Sequence, residues 1–191
     1  MGKLPLTRYK LKKLRKKKPE IRLLISGDSA SDLCSLVEEN RDALQATCEE
    51  LYDLVWPDWK RRRTLEISLQ FLDETEMASV NGRYRDVDAP TDVLTFPLFE
   101  RDGQFLPDDS FGSLALGDIL LCPSMISKNA EDHDVSETSE LALVIFHGML
   151  HLLAWDHDTP EKESKMWAVQ ERFRDLFLSR IGENAPLKAS Q

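Results

Sequence analysis

Apolar residues recur along the chain with two different periods, and these periods predict alternating strands and helices. Residues 64–72 (TLEISLQFL) alternate apolar and polar side chains, which predicts a half-buried strand. Shorter apolar or β-branched runs predict strands at residues 20–26, 93–96 and 114–122. Apolar residues at helical spacing predict helices at residues 31–55, 136–153 and 160–179. Two more helices are predicted from residues typical of helix starts. One begins at Asp73, with Glu76 three residues later, and runs to about Tyr84, and the other begins at Pro123.

This order of elements predicts an α+β fold in a single domain. We expect a mixed sheet of about four strands covered by about five helices, with a flexible Gly- and Asp-containing loop at residues 100–113. The chain of 191 residues divides into a basic arm (1–19), a folded body (20–181) and a C-terminal tail (182–191). No apolar run approaches the ~18 residues of a membrane span, so we expect no membrane association. Three widely spaced cysteines without a CxxC pair favour a reducing, cytoplasmic location.

Charge is distributed unevenly between the arm and the body. Residues 1–18 carry nine Lys or Arg and no acid, so the net charge of −9 for the whole chain leaves −18 on residues 19–191. An acidic body argues against broad electrostatic adhesion to nucleic acid. The arm, together with the basic run at residues 60–63, could bind phosphates locally. A solvent-exposed N-terminal segment without a binding role is an equal alternative, and a transit peptide is a weaker one.

Three of the four histidines lie within eleven residues, in HGMLHLLAWDH. His147 and His151 are four apart, so on a helix their imidazoles lie on the same face, and His157 follows the end of that helix. Three imidazole ligands with an open fourth position are typical of catalytic zinc, and nickel or copper are alternatives. The opposing interpretation is ordinary core histidines. We predict one zinc ion per chain, bound on a buried long helix and the turn after it.

The position after the first histidine argues against the usual zinc protease. Such enzymes place a glutamate there as general base, and this chain has Gly148. Metal-assisted hydrolysis of another bond stays open. Asp118 and Asp156 are candidate hydrogen-bond partners for the metal-binding imidazoles, although both could equally be ordinary acidic residues.

The segment NGRYRDVDAPTDVLTFP, residues 81–97, contains two arginines that could pair with phosphate oxygens. From the residues alone, Arg83 and Arg85 are equal candidates, and both could be simple surface residues.

Taken together, this segment, LGDILLC and HGMLHLLAWDH resemble, in order and spacing, the YbeY family of bacterial zinc-dependent endoribonucleases. The resemblance covers about residues 20–180 and implies that His147, His151 and His157 bind the metal and that Arg85, not Arg83, is functional. We expect Arg85 and His147 to be the catalytic residues. Ala154 and Trp155 depart from the Gly and Tyr usual in the family. If the turn needs positive φ, Ala154 would be strained by roughly 1–2 kcal/mol; a different turn is the alternative.

The resemblance implies a single-strand-specific metallo-endoribonuclease, with residues 20–181 as its metal-dependent hydrolase domain. Its expected role is 3′ end maturation of the small-subunit ribosomal RNA and ribosome quality control. Expected partners are ribosomal RNA, the small ribosomal subunit with its proteins, and a ribosome-assembly GTPase as a further candidate. A non-catalytic assembly factor with a structural metal is the main alternative, and a metalloprotease is a more remote one.

Overall fold

A computed structural model describes residues 18–27, 31–108, 110 and 112–183. Most of the predicted basic arm and C-terminal tail therefore lies outside the described residues. The elements, in chain order, are β1 Glu20–Gly27, α1 Asp32–Glu39, α2 Arg41–Val55, a 3-10 helix Pro57–Arg61, β2 Thr64–Phe71, α3 Glu74–Arg85, β3 Val93–Pro97, β4 Glu100–Arg101, β5 Gln104–Phe105, β6 Ser113–Leu121, α4 Pro123–His133, α5 Glu137–His151 and α6 Pro160–Ile181.

The main sheet has four strands in the order β1-β2-β6-β3. The first three are parallel, and β3 pairs antiparallel with β6 at the edge. The predicted α+β fold with a mixed four-stranded sheet is confirmed, with six α-helices in the described residues where about five were expected. Parallel pairing requires a long crossover between strands, and the intervening helices supply it.

Two predicted segments differ from the structure. The helix expected over residues 31–55 is two helices, because the backbone leaves the helical conformation at Asn40 (φ −106°, ψ 20°), between α1 and α2. The Leu36 carbonyl oxygen accepts from both the Asn40 N–H (3.1 Å) and the Asn40 side chain (2.9 Å) at this helix end. The loop expected at residues 100–113 contains a two-stranded hairpin, in which Glu100 pairs with Phe105.

Helix α5 is buried between the sheet and α6. It lies against β3 and β6 on one side, and on the other Phe146 contacts the rings of Phe173 and Phe177 on α6. This position between two layers explains why the helix is apolar all round, and the predicted burial is confirmed. On the opposite face of the sheet, Met77 of α3 packs with Leu94 of β3 and Leu120 of β6, whereas Leu24 of β1 is exposed.

The described helices contain none that is both long and apolar enough to cross a membrane.

Candidate metal centre

The three predicted histidines converge at the end of α5. His147 and His151 lie on the last turn and a half of the helix, and His157 comes from the segment before α6. One ring nitrogen from each lies within 4.8 Å of the other two, and the Nε2 atoms of His147 and His151 are 2.9 Å apart. Nitrogens bound at 2.0–2.1 Å around a tetrahedral zinc ion are about 3.3 Å apart. The donor set therefore fits one zinc ion with shifts of an ångström or so.

A turn centred on Ala154 brings His157 back towards the other two rings. The Trp155 N–H donates to the Leu150 carbonyl oxygen (3.1 Å) and the Ala154 N–H to that of His151 (2.9 Å). This pair of bonds is a Schellman motif, whose C′ residue adopts the left-handed conformation and is usually glycine. Ala154 has φ 56°, so the strained alternative expected from the sequence is the correct one.

The site favours the neutral form of His147 and His151, which is the form that binds metal. Burial, followed by the neighbouring His147 and His157, lowers the pKa of His151 to about 4. Burial also lowers the pKa of His147, although a hydrogen bond from its ring opposes this effect. Both residues are therefore deprotonated at neutral pH, with a lone pair available.

The hydrogen-bond partner of His147 is a residue that the sequence analysis missed. Its Nδ1 lies 2.9 Å from Oε1 of Gln170, a buried residue on α6. A glutamine among apolar helix positions was the available signal. Asp118, one of the predicted partners, accepts a hydrogen bond from Gln70 instead (3.3 Å). Asp156 lines the site and accepts from the backbone N–H of His157 (2.8 Å).

Gly148 faces the sheet and not the histidines. A Cβ atom there would lie 3.0 Å from Ile119 Cγ2 and 3.2 Å from Thr95 Oγ1. The absent side chain thus allows α5 to pack closely on β3 and β6. The usual protease base is therefore absent from the sequence, and any side chain at this position would be crowded by the sheet.

The histidines open into a cleft of about 600 Å³. Edge strand β3 and residues Glu100 and Gly103 of the β4–β5 hairpin contribute to its walls. Arg85, at the C-terminal end of α3, also lines this cleft. Arg83 is exposed on the same helix and is not one of the lining residues. The structure therefore distinguishes the two arginines that the residues alone left equal.

Two side chains missed by the sequence analysis hold the segment between Arg85 and β3. The buried Asn81 amide donates to the Ala89 carbonyl oxygen (2.8 Å), which fastens the loop to α3. The Asp92 carboxylate accepts hydrogen bonds from the backbone N–H of its neighbour Val93 (2.9 Å) and from Nδ2 of Asn129 on α4 (3.2 Å). These bonds fix the path of the chain past the cleft.

Comparisons with known proteins agree with this arrangement. The model of the family described as Endoribonuclease YbeY matches residues 33–177. A protein named Endoribonuclease YbeY from Mycobacterium sp. (strain KMS) is 43% identical over 115 residues, covering 60% of this chain and 65% of that protein. One of the same name from Rhodococcus opacus (strain B4) is 40% identical over 128 residues, covering 65% and 71%. The chain thus matches just under two thirds of the mycobacterial relative's length.

A solved structure extends the comparison to the fold. The solution structure of TM1509 from Thermotoga maritima has a TM-score of 0.58 and covers 89% of this chain and 99% of its own, at 23% identity. This likeness concerns the fold alone. The family match over most of the folded body is independent of it, and the chain belongs to the YbeY family.

Proposed function

We propose that this protein is a zinc-dependent endoribonuclease that cleaves single-stranded RNA. Its proposed role is maturation of the 3′ end of small-subunit ribosomal RNA and ribosome quality control. The observation that carries the proposal is the position of Arg85 in the same cleft as His147, His151 and His157. The names of the relatives support the same activity.

The charge of the cleft favours a bound cation when the substrate is a polyanion. Asp92, Glu100 and Asp156 line the cleft, and among the described residues that line it Arg85 is the one Lys or Arg. RNA brings a further negative charge with each nucleotide, so the cleft without metal would repel it. A divalent ion held by the three histidines would offset this repulsion. When bound, zinc supplies a Lewis acid that polarises a phosphoryl oxygen or lowers the pKa of a water molecule.

In this proposal, Arg85 binds the phosphate that reacts. Its guanidinium has no ion pair with any of the described residues, and its planar fork matches two oxygens of a phosphodiester. Negative charge grows on those oxygens during the reaction, and a fixed cation beside them stabilises the transition state more than the ground state. We therefore assign Arg85 to charge stabilisation, and His147 with its two partners to holding the metal.

The remaining parts of the proposal concern partners and location. Ribosomal RNA, the small ribosomal subunit and its proteins are the proposed partners, with a ribosome-assembly GTPase as a further one, in the cytoplasm. The protease alternative is disfavoured because the chain has Gly148 in place of the glutamate base, and this glycine packs closely against the sheet.

The test compares Arg85→Ala with Arg83→Ala, a matched loss of charge on the same helix. Substrates are a single-stranded RNA covering the 3′ end of small-subunit RNA and the same RNA in a duplex. We expect Arg85→Ala to lower kcat/KM on the single strand by about 10²–10³, as loss of one transition-state donor does. Arg83→Ala should stay within a few-fold of wild type, and both variants should bind zinc normally.

Three results bear on the mechanism. Cleavage that chelator does not affect, and that is equal in the wild type and in Arg85→Ala, would contradict the enzyme and favour the non-catalytic assembly factor. Equal loss in both variants would contradict the specific role of Arg85. A 2′,3′-cyclic phosphate on the product would identify the RNA 2′-hydroxyl as the nucleophile and exclude direct attack by water.

A further inference from the structure

Gln170 occupies an unusual position for an amide side chain. It is 2% exposed on the face of α6 that packs against α5. Its neighbours on this face, Met166 and Phe173, are each 1% exposed. From its contact with His147, we propose that Gln170 is a positioning residue that fixes the tautomer of His147 and thereby sets the affinity of the metal centre.

The direction of the hydrogen bond determines the tautomer. An amide oxygen only accepts, so the 2.9 Å contact between His147 Nδ1 and Gln170 Oε1 requires the proton on Nδ1. The Nε2 atom then carries the lone pair, and it is Nε2 that faces His151 at 2.9 Å. Gln170 therefore keeps His147 in the one neutral form that presents a ligand atom to the centre of the cluster.

The hydrogen bond to His147 explains why an amide side chain lies at this buried, apolar position. A buried amide that loses its partner is unfavourable, and apolar side chains flank it along α6. The contact of Phe146 with Phe173 (6.2 Å between centroids) holds the two helices together one turn away. The amide and the imidazole are thus kept at a fixed separation by packing that neither of them provides.

A glutamine differs from the carboxylate that often occupies such a position. A carboxylate bears a negative charge and raises the basicity of the imidazole, whereas the amide orients the ring without adding charge. The metal would consequently keep more of its Lewis acidity. This inference rests on the metal centre of the proposed function, and it does not depend on the RNA substrate.

The experiment compares three variants of the full chain. Gln170→Met keeps an unbranched side chain of similar size but removes the acceptor. Gln170→Glu keeps an oxygen acceptor at the same place. Phe177→Leu damages the packing of α5 on α6 two turns away from Gln170, where Phe177 contacts Phe146 (6.4 Å between centroids), and serves as the control for a structural effect. The readouts are the zinc dissociation constant from chelator competition and the ¹⁵N shifts of the His147 ring in metal-free protein.

We expect Gln170→Met to weaken zinc binding by about 10- to 100-fold, the usual effect of losing such a partner, and to shift the His147 proton partly to Nε2. Gln170→Glu should restore wild-type or tighter binding, and Phe177→Leu should leave the dissociation constant within about three-fold while lowering the unfolding midpoint. An unchanged tautomer and affinity in Gln170→Met, or equal losses in all three variants, would overturn the proposal. A wild type that binds no zinc would overturn both this role and the metal centre, whereas absence of RNA cleavage alone would leave the role standing.

Discussion

Replacing Ala154 with glycine tests whether the turn that carries His157 stores strain. Ala154 has φ 56°, and its N–H and that of Trp155 complete the Schellman bonds that end the α5 segment. The left-handed conformation brings Cβ too close to the following carbonyl oxygen, and glycine has no Cβ. The substitution should therefore stabilise the folded protein without moving the chain.

The magnitude follows from two opposing effects. Relief of the left-handed conformation contributes about 1–2 kcal/mol to the free energy of unfolding. Glycine also gives the unfolded chain more conformational freedom, which removes about 0.4–1 kcal/mol. The net gain for Ala154→Gly is about 0.8 kcal/mol from the central values, within a range of about 0–1.6 kcal/mol, and 0.8 kcal/mol corresponds to a rise in Tm of about 2–3 °C for a chain of this size.

The assay is thermal and urea unfolding of wild type, Ala154→Gly and Ala168→Gly, each in excess chelator and in zinc. Ala168 is exposed inside α6, where the same substitution should cost about 1 kcal/mol because helical residues have negative φ. Opposite signs for the two variants are expected, with zinc affinity unchanged in Ala154→Gly. A fall in the midpoint of Ala154→Gly like that of the control would refute the argument that residue 154 is strained.

Three further predictions concern packing, pH and metal. Gly148→Ala should destabilise the protein by about 1–3 kcal/mol in urea unfolding, since its Cβ would lie 3.0 Å from Ile119. An unchanged midpoint would show that the packing of α5 on the sheet can accommodate the added methyl group. Burial and the two neighbouring imidazoles lower the pKa of His151 to about 4 from its ordinary 6.5. Between these pH values the unfolded chain binds a proton that the folded protein does not. The free energy of unfolding of metal-free protein should therefore fall as pH drops from about 6.5 to about 4. A free energy of unfolding that does not change over this pH range would contradict the prediction. Free zinc at about 100 times its dissociation constant should stabilise the wild type by about 2.7 kcal/mol and His157→Ala much less; equal stabilisation of both would place zinc elsewhere.

The candidate site could be predicted from sequence in the parts where spacing alone fixes geometry. His147 and His151 lie together because the helix repeats every 3.6 residues, and this holds wherever the helix packs. Sequence alone favoured Arg85 over Arg83 only through the family resemblance. Both arginines lie on α3, and they differ in that Arg85 lines the cleft and Arg83 does not. The break at Asn40 was missed because the apolar spacing continues across it.

The sequence by itself determined the four strands of the main sheet, the apolar α5 helix and the imidazole pair, since local backbone hydrogen bonds impose fixed periods on side-chain direction. Only the tertiary structure decided that Gln170, 23 residues after His147, is its hydrogen-bond partner. It also decided that Gly148 packs on the sheet and that Ala154 adopts positive φ. These features depend on which faces of separate elements meet, and a pattern along one element does not contain that information.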